Sequence, residues 1–510
     1  MTTADDARGR RRDLARGGAI GLIGSVFSAA MGFLLIIVLG SLGDYSSGVV
    51  LQAIGVYSIA LGVARLGMDS AAVWIMPRLK ALQSPATTRT AIFVIGSSAV
   101  GGLLAALVIY VALAILSALG LWQADVIAAL TTIAWTLPFA SAFLAALATL
   151  RGLGDILPYV VIGNIAVPAL RPAGVLIVIG LGGGIALVSL AWASPVVIAL
   201  GAALIVVRAQ LRKTSVHADT SPTAQPSQDG LARPRVAATR YAGPRLLSSS
   251  LEQLLLWLDV VLVGVIAGAS DAGVYGTASR FIAAALIVDT AIRLVVSPEF
   301  SRLLHLRKHE ELRSIYATAT LWLVLFSSPI ILTLVTFAPL VLSLVGEEFV
   351  RGASAIAILG AGAIVTLLAG NIHSVLLMSG RSGWAAFNKA VVVGLNIALI
   401  WWWVPAWGIN GAAAAWAVCM MVDALLAWIE IRVLVGIRIG LLAGVYPLFI
   451  TLVSVGIPAL ALRLLWGPTW PALLASVALG GLIFLAWCRL DRQRLHLRDL
   501  RGLTNPRGSK

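Results

Sequence analysis

Apolar runs of about 20 residues recur along this chain from Gly17 to Cys488, separated by short polar turns, and nothing else in the sequence constrains its fold as much. A run of that length crosses hydrocarbon as an α-helix, because only then is every backbone N–H and C=O satisfied within the segment itself. Fourteen such spans can be delimited, at 17–40, 48–67, 91–117, 124–149, 158–180, 183–207, 246–268, 273–297, 315–344, 352–378, 386–407, 408–435, 439–462 and 470–488. The expected fold class is therefore an all-α polytopic membrane protein with about fourteen transmembrane helices. Charged residues make up only 12% of the chain, against roughly 25% in soluble domains, so no large soluble domain is left over.

The basic residues orient these spans. Of the 37 lysines and arginines, only Arg351 and Arg463 fall in outer loops, and Arg65, Arg171, Arg280 and Arg293 lie within spans. The others collect in alternate loops, at the span ends beside those loops (Lys389, Arg432) and in the two tails, which is the positive-inside pattern with the N- and C-termini cytoplasmic. The formal charge of +15 is thus explained by topology, and nucleic acid is not an expected partner. Arg8, Arg10, Arg11, Arg12 and Arg16 precede an apolar run too long for a signal peptide, so the first span reads as uncleaved. Cys419 and Cys488 read as small apolar fillers.

The chain divides into a basic cytoplasmic tail (1–16), an N-lobe of six spans (17–207), a flexible basic cytoplasmic linker (208–245) and a C-lobe of six spans (246–435). Two further spans (436–488) and a second basic tail (489–510) complete it. The lobes read as a repeat. Gly40-Ser-Leu-Gly-Asp44 to Val49, returning to Met76-Pro77, is echoed by Gly268-Ala-Ser-Asp271-Ala-Gly273-Val274, returning to Ser297-Pro298. Six spans separate the units, so a pseudo-two-fold axis along the membrane normal is expected. Each hairpin also carries an i,i+4 charge pair, Arg65 with Asp69 and Asp289 with Arg293.

Catalytic signatures are missing from the sequence. There is no phosphate-binding Gly-x-x-x-x-Gly-Lys-Ser/Thr loop and no His-Glu-x-x-His or Cys-x-x-Cys pattern, so neither an ATPase nor a bound cofactor is expected. His305 and His309 sit among Arg302, Arg307 and Lys308, which reads as a solvated basic face rather than a metal site. Outer loops are short and hold no acidic cluster beyond Glu347-Glu348, so a bond-making membrane enzyme is not indicated.

What remains is charge inside spans, where each unpaired ion costs at least about 2.5–3.5 kcal/mol. The hairpin Leu246–Pro298 carries Glu252, Asp259, Arg280, Asp289 and Arg293. At about 1.5 Å rise per residue, Asp259 can be level with Arg280 and Glu252 with Arg293. Glu252 and Asp259 share a helix face and read either as coupling or gating groups for a proton or sodium ion, or as structural ion pairs. Arg171 falls near mid-bilayer between Pro168 and Pro172, and reads either as a bidentate clamp for a diphosphate or as the partner of a carboxylate on another helix. Asn164, Asn371, His373, Asn388 and Asn396 are weaker candidates for a sugar path, and Trp401, Trp402, Trp403 and Trp407 read as an aromatic belt.

The ordered set of Gly43-Asp-Tyr-Ser-Ser-Gly-Val49, Arg65-Leu-Gly-Met-Asp69, Asp271-Ala-Gly-Val-Tyr275, Ser297-Pro-Glu-Phe-Ser-Arg302, Met378-Ser-Gly-Arg381 and Val404-Pro-Ala-Trp-Gly-Ile-Asn-Gly411 resembles the polysaccharide flippases of the multidrug/oligosaccharidyl-lipid/polysaccharide exporter superfamily. The resemblance covers roughly residues 15–440. It implies two six-helix lobes around a central cavity, and movement of an undecaprenyl-diphosphate-linked oligosaccharide across a bacterial cytoplasmic membrane by alternating access. It also implies glycan polymerases or glycosyltransferases as partners. On this reading Arg171, Arg280, Arg65, Asn164 and Asn371 contact substrate, and Asp259, Glu252, Asp289, Arg293 and Asp69 couple or gate. Asp259 and Arg280 are expected to face Arg171 across the cleft. A drug/cation antiporter or a peptidoglycan-precursor flippase of the same superfamily is the nearest alternative. A membrane polymerase or assembly scaffold is the alternative of a different class.

Overall fold

A computed structural model describes residues 2–218, 233–440 and 442–497. Among the described residues it is built of helices and turns, with no strand. Among the described residues ten helices are long and apolar enough to cross a membrane, or up to 12 if each of two bent helix pairs counts as one span. The chain forms two compact units, Met1–Val261 and Leu262–Lys510. The division falls inside helix Pro234–Ala267 rather than in the 208–245 stretch expected to be a linker. Helix Pro195–Ala218 runs into the start of that stretch and helix Pro234–Ala267 takes its end. Residues 219–232 of the expected linker and 498–510 of the expected basic tail lie outside the described residues.

Helix Ala86–Ala118 shows how these helices face two environments. Leu103, Leu104, Leu107, Val108, Val111 and Ile115 are exposed at helical spacing, while Ala91, Val94, Ser98, Gly102, Ala106 and Ile109 are buried on the opposite face. An exposed aliphatic stripe of that length is stable only against hydrocarbon. The buried face meets helix Leu137–Gly152, which also packs against helices Met68–Ala81 and Pro195–Ala218 and is the centre of the first unit. Small residues allow the approach: a Cβ on Gly102 would stand 2.4 Å from Ser141 Oγ, and Ser141 Oγ donates to Ser98 O at 2.7 Å.

The second expected span, 48–67, ends at a sharp break, beyond which a further helix follows. Helices Gly43–Ala64 and Met68–Ala81 are separated by Leu66 (φ 52) and Gly67 (φ 68), both left-handed. A leucine in that region is strained by about 1–3 kcal/mol and persists only where its surroundings hold it. Gly67 supplies the hold, because helix Pro234–Ala267 passes so close that a Cβ there would lie 2.3 Å from Ala242 O.

In the second unit, helices Ala269–Ala285 and Ile287–His305 meet at Leu286, and helix Ser382–Glu430 breaks at Gly408 (φ 54). Helix Ala353–Leu368 is central there, packing against helices Ala269–Ala285, His309–Thr336 and Ser382–Glu430. The C-terminal helices dock on helix His309–Thr336, with Trp322 Nε1 donating to Leu495 O at 3.0 Å.

Gly67→Ala is expected to cost at least about 2 kcal/mol, because it adds a backbone clash to left-handed strain. Gly120→Ala, equally left-handed but with open space around it, is expected to cost only about 1 kcal/mol. Thermal unfolding of the two purified variants measures the difference.

Candidate functional site

The first unit holds a cavity of about 650 Å³, lined among others by Arg65, Asp69, Arg151, Asn164, Arg171 and Arg245. Four arginines against one aspartate make it strongly cationic. Its wall is assembled from helix faces. Leu61, Arg65 and Asp69 follow one another at intervals of four residues across the Leu66–Gly67 break. Tyr159, Gly163, Asn164, Val167, Pro168 and Arg171 form one stripe of the fifth expected span. That span stays continuous through Pro168 and Pro172, with the Tyr159–Ala166 stretch before them π-helical.

Each charged group is held differently. Arg65 Nη1 donates to Asp69 Oδ2 at 3.0 Å, bridging the helix break, while Arg65 Nε and Asp69 Oδ1 are buried without a partner. Arg171 has no carboxylate partner among the described residues; its guanidinium lies 4.4 Å from the centroid of Trp192. Trp192 in turn meets Tyr57 edge-on at 5.5 Å, and the Tyr57 hydroxyl shares a 2.8 Å hydrogen bond with Thr136. This buried series fixes the plane of Arg171, and Arg171 Nε is left buried and unpartnered. Of the two sequence readings of Arg171, pairing with a carboxylate is therefore not what is observed. Arg151 lies over Tyr159 at 5.9 Å, and Tyr241 stacks on Trp74 at 4.8 Å, both rings also lining the cavity.

Arg65, Asp69, Asn164 and Arg171, singled out from the sequence, thus come together. Asp259 is buried, with Oδ1 accepting from Val260 N–H at 2.8 Å, and does not line this cavity; Glu252 is exposed. Arg280 and Asn371 belong to the second unit, where Arg280 is half-buried and Asn371 buried. The expected pair of Asp289 with Arg293 does not close: Arg293 is exposed and no ion pair joins the two among the described residues, whereas Arg65 and Asp69 do pair.

Arg151, Arg245, Trp74 and Tyr241 were not singled out from the sequence. Arg151 and Arg245 sit at span ends and read as orienting charges, and only packing turns them inward. Asp423 and Glu430, two carboxylates seven residues apart inside an apolar span, could have been found by the same rule that found Glu252 and Asp259.

The comparisons with known proteins bear on this arrangement. No protein-family model matches the chain. The lipid II flippase MurJ in an inward closed conformation superposes with a TM-score of 0.66 at 12% identity, covering 93% of this chain and 99% of that one. An inward-facing multidrug resistance MATE transporter of the MOP superfamily superposes with a TM-score of 0.63 at 14% identity, covering 80% and 94%. The chain shares the fold of MurJ and of the MATE transporters. By sequence, the probable low-salt glycan biosynthesis flippase Agl15 of Haloferax volcanii is 26% identical over 180 residues. That match covers 33% of this chain and spans about a third of the relative, 36% of its length. The neighbours are transporters and flippases rather than enzymes. The expectation of an all-helical, multi-pass membrane protein with the fold of these transporters is borne out.

Asp69→Ala removes the only carboxylate of the cavity lining among the described residues and takes away the ion-pair partner of Arg65 beside a strained turn. The variant is expected to lose about 1 kcal/mol or more of stability, and Arg65→Met with Asp69→Ala together less than the two single losses summed. A double-mutant cycle by thermal unfolding reads the coupling.

Proposed function

We propose that this protein is a flippase that moves an undecaprenyl-diphosphate-linked oligosaccharide or polysaccharide precursor from the inner to the outer leaflet of a bacterial cytoplasmic membrane by alternating access, for cell-surface polysaccharide biosynthesis. The observation that carries the proposal is the cavity with Arg65, Arg151, Arg171 and Arg245 on its wall and unpartnered donors at Arg65 and Arg171. Fixed guanidinium forks suit a diphosphate, because each donates parallel bonds to two oxygens. The rings of Tyr159 and Tyr241 lie on the same wall, where they can meet the sugar attached to it. A volume of about 650 Å³ accommodates a head group of that size rather than a long glycan, so the polymer beyond the first sugars would extend into water.

The proposal includes fourteen spans, obtained by adding the two arms of helix Ser382–Glu430 on either side of Gly408 to the twelve already described, with both termini cytoplasmic. It keeps Arg280 and Asn371 as further substrate contacts and Asp259, Glu252, Asp289 and Arg293 as coupling or gating groups. Polymerases and glycosyltransferases of the same glycan are proposed partners. Export of a cationic drug is disfavoured by the cavity, since each like charge at about 4 Å costs about 1 kcal/mol even in bulk water. A peptidoglycan precursor carries the same diphosphate and is separated from other glycans only by its sugar.

Arg171→Ala is expected to leave the protein at normal levels in the membrane while surface glycan falls at least about tenfold, a loss of 1.4 kcal/mol or more of substrate interaction. Arg171→Lys keeps the charge but not the fork and is expected to recover only part of the activity. Quantifying surface polysaccharide beside membrane protein levels tests this, and normal glycan from Arg171→Ala would contradict it.

A further inference from the structure

Helices Ala86–Ala118 and Pro195–Ala218 both pack against helix Leu137–Gly152 and leave between them a groove of about 670 Å³. It shares no lining residue with the cationic cavity. Its walls are aliphatic, with Ile92 and Ile95 on one helix and Leu204 on the other. Gly96 deepens it, because a Cβ there would meet no atom within 4 Å and the space a side chain would take stands open. Glycine weakens a helix interior, so the gap is kept against local preference.

Arg208 and Arg212 close one end of the groove. They are four residues apart, about one turn, so both guanidinium groups leave the same face of their helix. That end is where helix Pro195–Ala218 finishes and helix Ala86–Ala118 begins, the cytoplasmic side of the proposed topology. Among the described residues no carboxylate lines the groove. Asp155 accepts from Gln210, which is not part of the groove.

We propose that this groove binds one anionic phospholipid of the inner leaflet, its phosphate held by Arg208 and Arg212 and one acyl chain laid along Ile92, Ile95, Gly96 and Leu204. Charge, position and length together choose this occupant. Two arginines with no carboxylate on the groove wall attract a net negative head group and repel the ammonium of a zwitterionic one. Basic pockets between helices at the inner face are where anionic head groups are recognised, and arginine stems lying on apolar surface carry the charge to that level. From Thr88 to Gly96 the groove follows about 12 Å of helix, close to the roughly 15 Å of hydrocarbon in one leaflet. Binding here is independent of transport, since the groove lies outside the cavity.

Native mass spectrometry of the purified full chain in detergent tests this, with phosphatidylglycerol and phosphatidylethanolamine of identical acyl chains as probes. The wild type is expected to bind one phosphatidylglycerol at least about tenfold tighter than phosphatidylethanolamine. Gly96→Leu fills the groove without a clash and is expected to weaken phosphatidylglycerol at least about tenfold. Gly201→Leu makes the same addition in open space outside the groove and is expected to change nothing. Arg208→Gln with Arg212→Gln is expected to bring the two lipids to equal affinity, and Gly96→Leu decides the matter even if that variant does not fold. Equal affinity for the two lipids in the wild type, or undiminished phosphatidylglycerol binding in Gly96→Leu, would overturn the proposal. Competition by undecaprenol at the phospholipid's own concentration would give the groove to an isoprenoid chain, and a two-chain species free of phospholipid would give it to a second copy; either result contradicts the assignment.

Discussion

Hydrocarbon offers no partner to an ionised side chain, and this constraint organises the molecule. Arginine at the depth of Arg171 must be paired with a carboxylate, wetted, or held against an aromatic face. The protein uses the last of these, lodging the guanidinium over Trp192 and bracing Trp192 through Tyr57 to Thr136. The consequence is an arginine whose charge is not cancelled by the protein itself. A cation placed at such cost and left available to the cavity is the physical core of the functional reading.

Arg65 is treated differently. It is paired, but the pair spans a helix break whose left-handed Leu66 stores strain. Coupling a charge pair to a strained turn makes the local conformation depend on whether the pair is intact, so an anion that drew Arg65 away from Asp69 would act on the backbone at the same point. Close packing of Gly67 on Ala242 connects that turn to the helix that also carries Tyr241 and Arg245 to the cavity.

Much of this was legible in the sequence. Apolar run length and the alternation of basic loops delimit helices that the structure contains; a polar or charged residue within a span was enough to pick out Asn164 and Arg171, and i,i+4 spacing picked out Arg65 with Asp69. Other features depend on contacts between distant segments. The break after Arg65 reads as continuous helix until Ala242 is seen to require Gly67. Arg245 reads as linker because Pro234–Gly243 is not apolar, yet it is helical because the face of that helix packs on the first hairpin. The Asp289–Arg293 pair is spaced as Arg65–Asp69 is, but Arg293 turns outward, so spacing alone did not decide pairing.

The central claim is that the first unit's cavity selects a diphosphate, and affinity against salt tests it most directly. Binding of undecaprenyl diphosphate, undecaprenol and a lipophilic cationic dye to the purified full chain would be compared at low and high ionic strength. The account predicts that the diphosphate lipid binds at least about tenfold tighter than the alcohol, that added salt narrows this difference, and that the dye does not compete. Equal affinity for the alcohol, or displacement of the diphosphate lipid by the dye, would contradict it.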